Sequence, residues 1–269
     1  ALAAHRLEGK KIALVPTMGA LHEGHASLVR KAATENDIVV VSVFVNPTQF
    51  NDKNDLAKYP RTLDADCQLL EREGADIVFA PSVEEMYPEE DKRQFSYPPL
   101  DCVMEGVFRP GHFNGVCQIV SKLFMITEPD KAYFGEKDFQ QLAIIREMVR
   151  KEGFNLEIVG CPIIREMDGL AMSSRNALLS DEDRKTALNI SKTLFDSVDF
   201  SQNHTLSETK QFVEDAIAAV EGLKLEYFEI VDGNTLQNIN EWSESSYIVG
   251  CITVFCGGVR LIDNIKYRG

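Results

Sequence analysis

The sequence predicts an α/β protein: a Rossmann-like, doubly wound parallel sheet followed by a smaller C-terminal α+β domain. Short apolar runs typical of buried parallel strands alternate with helical patterns over roughly the first 165 residues. Two helical patterns and then three consecutive strand-like runs follow, which favours antiparallel pairing. A chain of 269 residues is long enough for about two domains. We therefore place the domains at 1–165 and 166–269.

The first β–α–β unit is the clearest element of the chain. An apolar run at 11–15 ends at Pro16, and a loop carrying two glycines follows. The next segment has one apolar face, including Leu28 and Val29, and leads into a second apolar run at 37–45. The alternation then continues through helices and strands in turn. These are helix 63–73, strand 76–79, a long loop at 81–115, helix 116–126, strand 132–134, helix 138–152 and strand 156–160.

The second half begins with a capping signal. Ser180 precedes three acidic residues, which is typical of a helix N-terminus. The predicted elements are then helices 180–198 and 205–222 and strands 225–231, 247–255 and 259–265.

Composition limits the function classes. The formal net charge of -14 excludes binding to nucleic acid or to an anionic membrane through the overall field, so an anionic substrate needs a local cluster of donors. No apolar run approaches the roughly 18 residues of a spanning helix. The first residues are too short and polar for a signal peptide, and the six cysteines contain no CxxC pair. We expect reduced, mostly buried cysteines and a cytoplasmic location.

The loop after the first strand holds the strongest chemical signal. His22 and His25 are three residues apart at the start of a helix, where free N–H groups and the helix dipole favour an anion. The pattern therefore favours phosphate handling. A metal-binding pair or a purely structural role remains an alternative, and the chain has neither a GxGxxG segment nor a P-loop.

Four further segments carry polar groups where ligands bind in an open parallel sheet. They are VNPTQF at 45–50, RPGHF at 109–113, FGEKDFQQ at 134–141 and LAMSSRN at 170–176. Taken singly, each is also consistent with turn chemistry, with helix capping or with a solvated surface charge on Lys137 or Arg175.

Together these motifs are more specific. VPTMGALHEGH, VNPTQF, RPGHFNGV, FGEKDFQQL and DGLAMSSRN, in this order, resemble the pantoate–β-alanine ligase family, and the resemblance continues to RLIDN near the C-terminus. HEGH resembles the HxGH signature of the nucleotidyltransferase superfamily. MSSR is similar to the KMSKS-type segment that such enzymes close over ATP.

The resemblance implies an ATP-dependent ligase acting on pantoate and β-alanine through a pantoyl adenylate. ATP would be the co-substrate with Mg²⁺, and the family is usually homodimeric, with apolar residues at 38–50 offering a surface. Two rivals stay open. One is a nucleotidyltransferase of the same superfamily, such as a phosphopantetheine adenylyltransferase, and the other is a nucleotide-binding regulatory module without turnover.

The resemblance also implies roles for individual residues. His25 and His22 would stabilise charge on the triphosphate, with Lys137 and Arg175 as further catalytic groups. The implied nucleotide site contains Met18, Gly19, Ala20, Leu21, His22, Glu23, Gly24, His25, Gly135, Glu136, Lys137, Asp138, Ile164, Met172, Ser173, Ser174 and Arg175. The implied substrate site contains Gln49, Gln141, Asn46 and His112. Asp66 is a candidate magnesium ligand, with an exposed helix acid as the alternative.

Overall fold

The computed structural model describes residues 2–269; Ala1, where the predicted first domain begins, lies outside the described residues. The described chain forms one parallel and one antiparallel sheet with flanking helices, which confirms the predicted fold class. The strands are β1 Ile12–Thr17, β2 Ile38–Val43, β3 Ile77–Phe79, β4 Lys131–Gly135, β5 Glu157–Cys161, β6 Leu223–Asp232, β7 Ile248–Cys256 and β8 Val259–Arg268. The helices are α1 Leu2–Leu7, α2 Glu23–Glu35, α3 Lys53–Lys58, α4 Leu63–Glu73, α5 Val83–Met86, α6 Glu105–Phe108, α7 His112–Thr127, α8 Phe139–Glu152, α9 Asp181–Phe200 and α10 Leu206–Ala218.

The parallel sheet has the strand order β3-β2-β1-β4-β5. The chain winds outward from β1 to β3 and then returns to the other side of β1 to add β4 and β5. This reversal beside β1 is the point at which open α/β sheets bind ligands, beyond the carboxyl ends of the strands. The functional cleft is therefore expected above β1 and β4.

The second sheet is an antiparallel meander, β6-β7-β8, on which α9 and α10 pack. Its core is separate from that of the parallel sheet and includes Leu194, Ile217 and Val254, all fully buried. The two sheets thus have separate buried cores, and the domain boundary near residue 165 stays a prediction.

The apolar runs of the first half supply buried strands. Ile12 to Val15 in β1 and Val39 to Val41 in β2 are almost entirely inaccessible, because helices cover both faces of the sheet. Most apolar side chains of 38–50 lie inside the protein for this reason, and only Val43, Val45 and Phe50 are partly exposed. The dimer surface expected for this stretch stays a prediction.

The largest departure from prediction lies in the expected loop at 81–115. It contains the short helices α5 and α6, and α7 begins at His112 instead of Val116. The segment RPGH has the residue types of a turn, which is why the sequence predicted a loop there. In the structure its histidine is already the first residue of α7, and Gly115 in the first turn of this helix packs against the backbone of Thr48. A Cβ on Gly115 would lie 2.3 Å from the carbonyl oxygen of Thr48, so only glycine permits the approach.

Two further expectations concern the whole chain. Cys117, Cys161, Cys251 and Cys256 are buried and all six cysteines are free thiols, as predicted. Among residues 2–269, no helix has the length and apolar character needed to cross a membrane.

Candidate active site

One open cleft of about 1220 Å³ lies above the carboxyl ends of β1, β2 and β4 and collects most of the predicted site residues. The predicted residues that line it are Met18, His22, Gly24, His25, Asn46, Gln49, Gly135, Lys137, Asp138, Gln141, Ile164, Met172, Ser173, Ser174 and Arg175. A smaller cavity of about 400 Å³ adjoins it and is lined by Lys137, Asp138, Gln141 and His112 among others. Residues from distant parts of the sequence thus meet at one place.

The two histidines cap the N-terminus of α2. The Nδ1 atom of His22 accepts a hydrogen bond from the backbone N–H of Gly24 at 3.1 Å. The Nδ1 atom of His25 accepts one from the backbone N–H of His22 at 3.3 Å. The ring centroids are 4.1 Å apart. This reciprocal cap fixes both rings at the positive end of the helix dipole.

The capping bonds also determine which nitrogen carries the proton. A ring nitrogen that accepts a backbone N–H is unprotonated, so in each neutral imidazole the proton is on Nε2. Burial lowers the pKa of His22 to about 4, with Lys137 adding to the effect. Burial likewise holds the pKa of His25 well below its usual value, and His22 and Lys137 contribute. Near neutral pH both side chains are therefore neutral donors of an Nε2–H hydrogen bond.

Asp66 anchors the histidine loop from below. It is 2% exposed, and its carboxylate accepts hydrogen bonds from the backbone N–H of Ala20 at 3.0 Å and of Leu21 at 2.8 Å. The hydroxyl of Thr62 donates to it as well, at 3.1 Å. The alternative of an exposed helix acid is wrong. Because both oxygens already accept bonds from the protein, we do not retain Asp66 as a magnesium ligand.

Asn46 and Gln49 lie on a 3₁₀ turn after β2 and have different surroundings. Asn46 is 1% exposed, and its amide donates to Gly115 O and Gln49 Oε1 while accepting from the hydroxyl of Tyr87. With its amide satisfied internally, Asn46 orients Gln49 instead of meeting substrate as the resemblance implied. The Gln49 amide nitrogen is 3.0 Å from the sulfur of Met18, a weak acceptor that a ligand can replace.

His112 supports Gln49 through its backbone. Arg109 Nη1 donates to Nε2 of His112 at 3.1 Å, which leaves Nδ1–H to donate to the carbonyl of Gln49 at 2.8 Å. Burial lowers the pKa of His112 to about 3, and Arg109 contributes, so the ring is neutral. His112 therefore lies behind the substrate position, in the adjoining cavity, and the implied direct contact with substrate is not what this geometry provides.

Arg109 is in turn held by a buried carboxylate. Glu105 is 7% exposed and accepts two hydrogen bonds from Arg260 of β8, at 2.7 and 2.8 Å. It also accepts from the Tyr227 hydroxyl at 2.8 Å and pairs with Arg109 at 3.3 Å. Burial raises the pKa of Glu105, but Arg260 outweighs it and brings the value to about 2. A continuous polar chain thus joins the C-terminal sheet to Gln49.

Lys137 lies on the 3₁₀ turn between β4 and α8. Its side chain is only 18% exposed, with Nζ 3.5 Å from a carboxylate oxygen of Asp138. The alternative of a solvated surface charge is therefore wrong. Gln141, one turn further along in α8, lines both cavities beside it.

The segment MSSR closes the opposite side of the cleft. Ser173 accepts from the backbone N–H of Arg175 and begins a 3₁₀ turn, and Ser174 donates to the carbonyl of Ala20 at 2.9 Å. Arg175 pairs with Asp55 of α3 at 2.8 Å and lies over the ring of Tyr59. The serine bond connects this turn directly to the histidine loop.

The implied nucleotide contacts at Glu23 and Ile164 differ in how they fit the structure. Glu23 is exposed and pairs with Arg30 on the outer surface of α2. Ile164 lines the cleft, and its carbonyl accepts the N–H of Met172 at 3.0 Å, so its contact with adenine stays a prediction. Four other residues of the implied nucleotide site do not line the cleft. These are Gly19, Ala20, Leu21 and Glu136.

Sequence reasoning missed several residues of the site. Val116, Ile119, Val120 and Leu123 form an apolar wall from one face of α7, and their helical spacing was a usable signal. Tyr59 and Asp55 had no such signal, since their partner Arg175 is more than 100 residues away. Among residues 2–269, no group of three or more His, Cys, Asp or Glu could hold a metal ion, which argues against metal ligation by the histidine pair.

The fold and the cleft define the class of protein: an α/β nucleotide-binding enzyme with two capping histidines at a helix N-terminus, where the strand order of the parallel sheet reverses. A model of the family described as pantoate-beta-alanine ligase matches residues 1–266. The chain belongs to this family, and its activity is the ligation of pantoate to β-alanine with ATP.

Individual relatives agree with this assignment. A pantothenate synthetase of Phocaeicola vulgatus is 76% identical over 269 residues, covering 100% of this chain and 95% of the relative. The crystal structure of pantothenate synthetase from Thermus thermophilus matches with a TM-score of 0.93 at 43% identity, covering 100% of this chain and 98% of that one. The pantoate-beta-alanine ligase of Francisella tularensis, complexed with beta-gamma ATP and beta-alanine, matches with a TM-score of 0.82 at 38% identity, covering 99% and 94%.

Proposed function

We propose that the cleft carries out the ligation in two steps with the residues described above. The carboxylate of pantoate attacks the α-phosphorus of ATP and pyrophosphate leaves, giving pantoyl adenylate. The amine of β-alanine then attacks the acyl carbon, loses a proton and displaces AMP. The observation that carries the proposal is the pair of Nε2–H donors at the N-terminus of α2, at the sheet's switch point. The ligands of the Francisella relative support ATP and β-alanine as substrates here.

We assign His22 and His25 to the phosphates. Adenylation places new charge on the oxygen that links the α- and β-phosphates, and pyrophosphate is a good leaving group. Neutral imidazoles held in place by backbone bonds can donate to that charge without reorganising. Their lowered pKa values favour this role over transfer of a proton from an imidazolium.

Pantoate fits between Gln49 and Gln141. Neutral amides bind its hydroxyl groups and do not form an ion pair with its carboxylate, which stays free to attack. The apolar wall of α7 suits the dimethyl carbon of pantoate. The chain from Glu105 through Arg109 and His112 fixes the backbone of Gln49 and hence the position of its amide.

The triphosphate would extend toward Lys137, Ser173, Ser174 and Arg175. Lys137 faces the cleft beside both histidines, and the cation on Arg175 is already held at the rim by Asp55. These cations provide the local donors that a chain of net charge -14 needs to capture a tetra-anion.

In this proposal Mg²⁺ is bound to the phosphates of ATP and not to a site formed by the protein alone. Mg²⁺ is usually held by substrate phosphates, waters and one or two carboxylates. The described residues form no cluster that could hold a metal by itself, so we assign no protein ligand. We further propose that a domain boundary lies near residue 165 and that residues 166–269 close over ATP. We also propose that the protein is a homodimer and is located in the cytoplasm.

The test is ATP–pyrophosphate exchange without β-alanine, run with pantoate and, separately, with phosphopantetheine. Exchange that requires pantoate is the expected result. Exchange driven by phosphopantetheine would instead favour an adenylyltransferase. No exchange with either acceptor would contradict turnover and favour a nucleotide-binding module.

A further inference from the structure

The last residues of the motif RLIDN in β8 line the smaller cavity beside the cleft, on the side of the second sheet. The side-chain amide of Asn264 donates to the carbonyl oxygens of Glu136 at 2.9 Å and of Lys137 at 3.0 Å. Asn264 is 7% exposed, so neither bond competes strongly with solvent. One amide group thus binds two successive carbonyls of the 3₁₀ turn that carries Lys137.

We propose that Asn264 is a positioning residue for the adenylation step, which holds the backbone of the Lys137 turn so that the ammonium group faces the phosphates. The proposal rests on the role assigned to Lys137 above. Asn264 itself does not touch ATP or pantoate. It acts through two main-chain bonds made across the boundary between the two cores.

The surroundings of Asn264 fix its own orientation. Asp263 accepts the backbone N–H of Asn264 at 2.7 Å and two hydrogen bonds from Arg165, at 2.6 and 2.9 Å. Arg165 also donates to the carbonyl of Asn264 at 3.2 Å and to that of Gly169 at 3.2 Å. The 4% exposed carboxylate of Asp263 therefore joins β8 to the loop before MSSR. Asp263 and Asn264 of β8 thus connect to both segments assigned to the nucleotide, the MSSR loop through Arg165 and the Lys137 turn directly.

The direction of the two bonds explains why an amide is needed. Both partners are carbonyl oxygens, so the group at position 264 must be a double donor, and the Asn –NH₂ supplies both hydrogens. A carboxylate there would place an anion against two acceptors. An apolar side chain would leave two partly buried carbonyls without these donors, and the turn would relax to find others.

Lys137 is sensitive to such a relaxation. Its ammonium group is at the end of a flexible four-carbon stem, and its position relative to His22 and His25 depends on where the turn begins. A displacement of about 1 Å in a reacting complex can reduce the rate about 100-fold. Removal of the Asn264 amide should therefore slow adenylation while leaving the fold intact.

The experiment uses Asn264→Leu, which has a similar shape and no donor, in the full chain. We expect pantoate-dependent ATP–pyrophosphate exchange to fall about 10- to 100-fold in kcat, with the KM for pantoate nearly unchanged. The matched control is Asn36→Leu. Asn36 also donates two hydrogen bonds, to Ala32 O and to the Tyr133 hydroxyl, but it lies at the opposite end of the sheet. We expect this control to change the melting temperature and not the exchange rate.

A double variant separates positioning from a general structural role. If Asn264 acts through Lys137, adding Asn264→Leu to Lys137→Ala should cause little further slowing, because the group being positioned is gone. Equal slowing in both backgrounds would overturn the proposal, as would wild-type exchange in Asn264→Leu. Wild-type exchange in the single variant Lys137→Ala would instead refute the role assigned to Lys137. That outcome is therefore distinguished from a failure of the Asn264 proposal.

Further substitutions at position 264 guard against the case in which Asn264→Leu fails to fold. If Asn264→Leu does not fold, Asn264→Ala leaves space that water can fill, and the same comparison is made with it. Restored exchange in Asn264→Gln, whose amide can still donate twice, would add support. A further loss in Asn264→Asp relative to Asn264→Ala is expected from the facing carbonyls, and the reverse order would contradict the proposed direction of the bonds.

Discussion

Asp66 gives the sharpest test of how the histidine loop is built. Replacing it by Asn keeps the shape but converts one oxygen into a donor. Oδ2 accepts the N–H of Ala20, and Oδ1 accepts the N–H of Leu21 together with the hydroxyl of Thr62. Whichever way the new amide is oriented, at least one backbone N–H faces an –NH₂ group and loses its acceptor.

The expected loss follows from the number of bonds. A buried donor left without a partner costs about 1–3 kcal/mol, so Asp66→Asn should lower the free energy of unfolding by about that amount. Because the freed N–H groups belong to the loop that precedes His22, adenylation should also slow. The dependence of the rate on Mg²⁺ concentration should stay as in the wild type.

The assays are equilibrium denaturation and ATP–pyrophosphate exchange over a range of Mg²⁺ concentrations. Asp64→Asn is the matched control, since Asp64 is in the first turn of the same helix but is exposed. Wild-type stability of Asp66→Asn, combined with a higher Mg²⁺ requirement, would refute the anchoring role and restore the metal ligand first considered.

Four further outcomes are expected. His25→Ala should reduce adenylation about 10²- to 10³-fold through loss of one preorganised donor, whereas His204→Ala, at an exposed site, should not; pyrophosphate exchange measures both. Gln141→Ala should raise the KM for pantoate more than that for ATP, and equal changes in steady-state kinetics would contradict the pantoate role. Gly24→Ala would place a Cβ 2.8 Å from the ring of His22, so exchange should fall while the melting temperature changes little, because a side-chain tip can move. Burial lowers the pKa of His22 from 6.5 to about 4, so between these pH values the unfolded chain binds a proton that the folded chain does not. The free energy of unfolding should therefore fall as the pH falls from 6.5 to 4. Denaturation at several pH values measures this, and a free energy of unfolding that does not change with pH would contradict it.

The fold was predictable because its signals are local. The valine-rich run of β2 predicts a strand buried on both faces, and the helix at Leu63–Glu73 was predicted with the bounds that the structure shows. The position of both histidines at the start of a helix was predicted, but the capping bonds they make were not, although these bonds join residues only two or three positions apart.

The supporting contacts of the site were not predictable in this way. Asp66 is 46 residues from Ala20, and Asp55 is 120 residues from Arg175. No periodicity or spacing rule relates such pairs, because only the folded sheet brings them together. His112 shows the same limit: its residue type suggested a ligand contact, while its actual partners, Arg109 and Gln49, make it a support.

The central place of β1 has a consequence for the growing chain on the ribosome. β1 pairs with β2 on one side and with β4 on the other, and Asp130, just before β4, bonds to Ile12 from 118 residues further along. At about 5–20 residues per second, roughly 6–24 s pass between synthesis of the two strands. During that time one edge of a mostly apolar strand has no partner, and such an edge can pair with other chains. The nascent N-terminal half is therefore the stage at which a chaperone would be of most use to this enzyme.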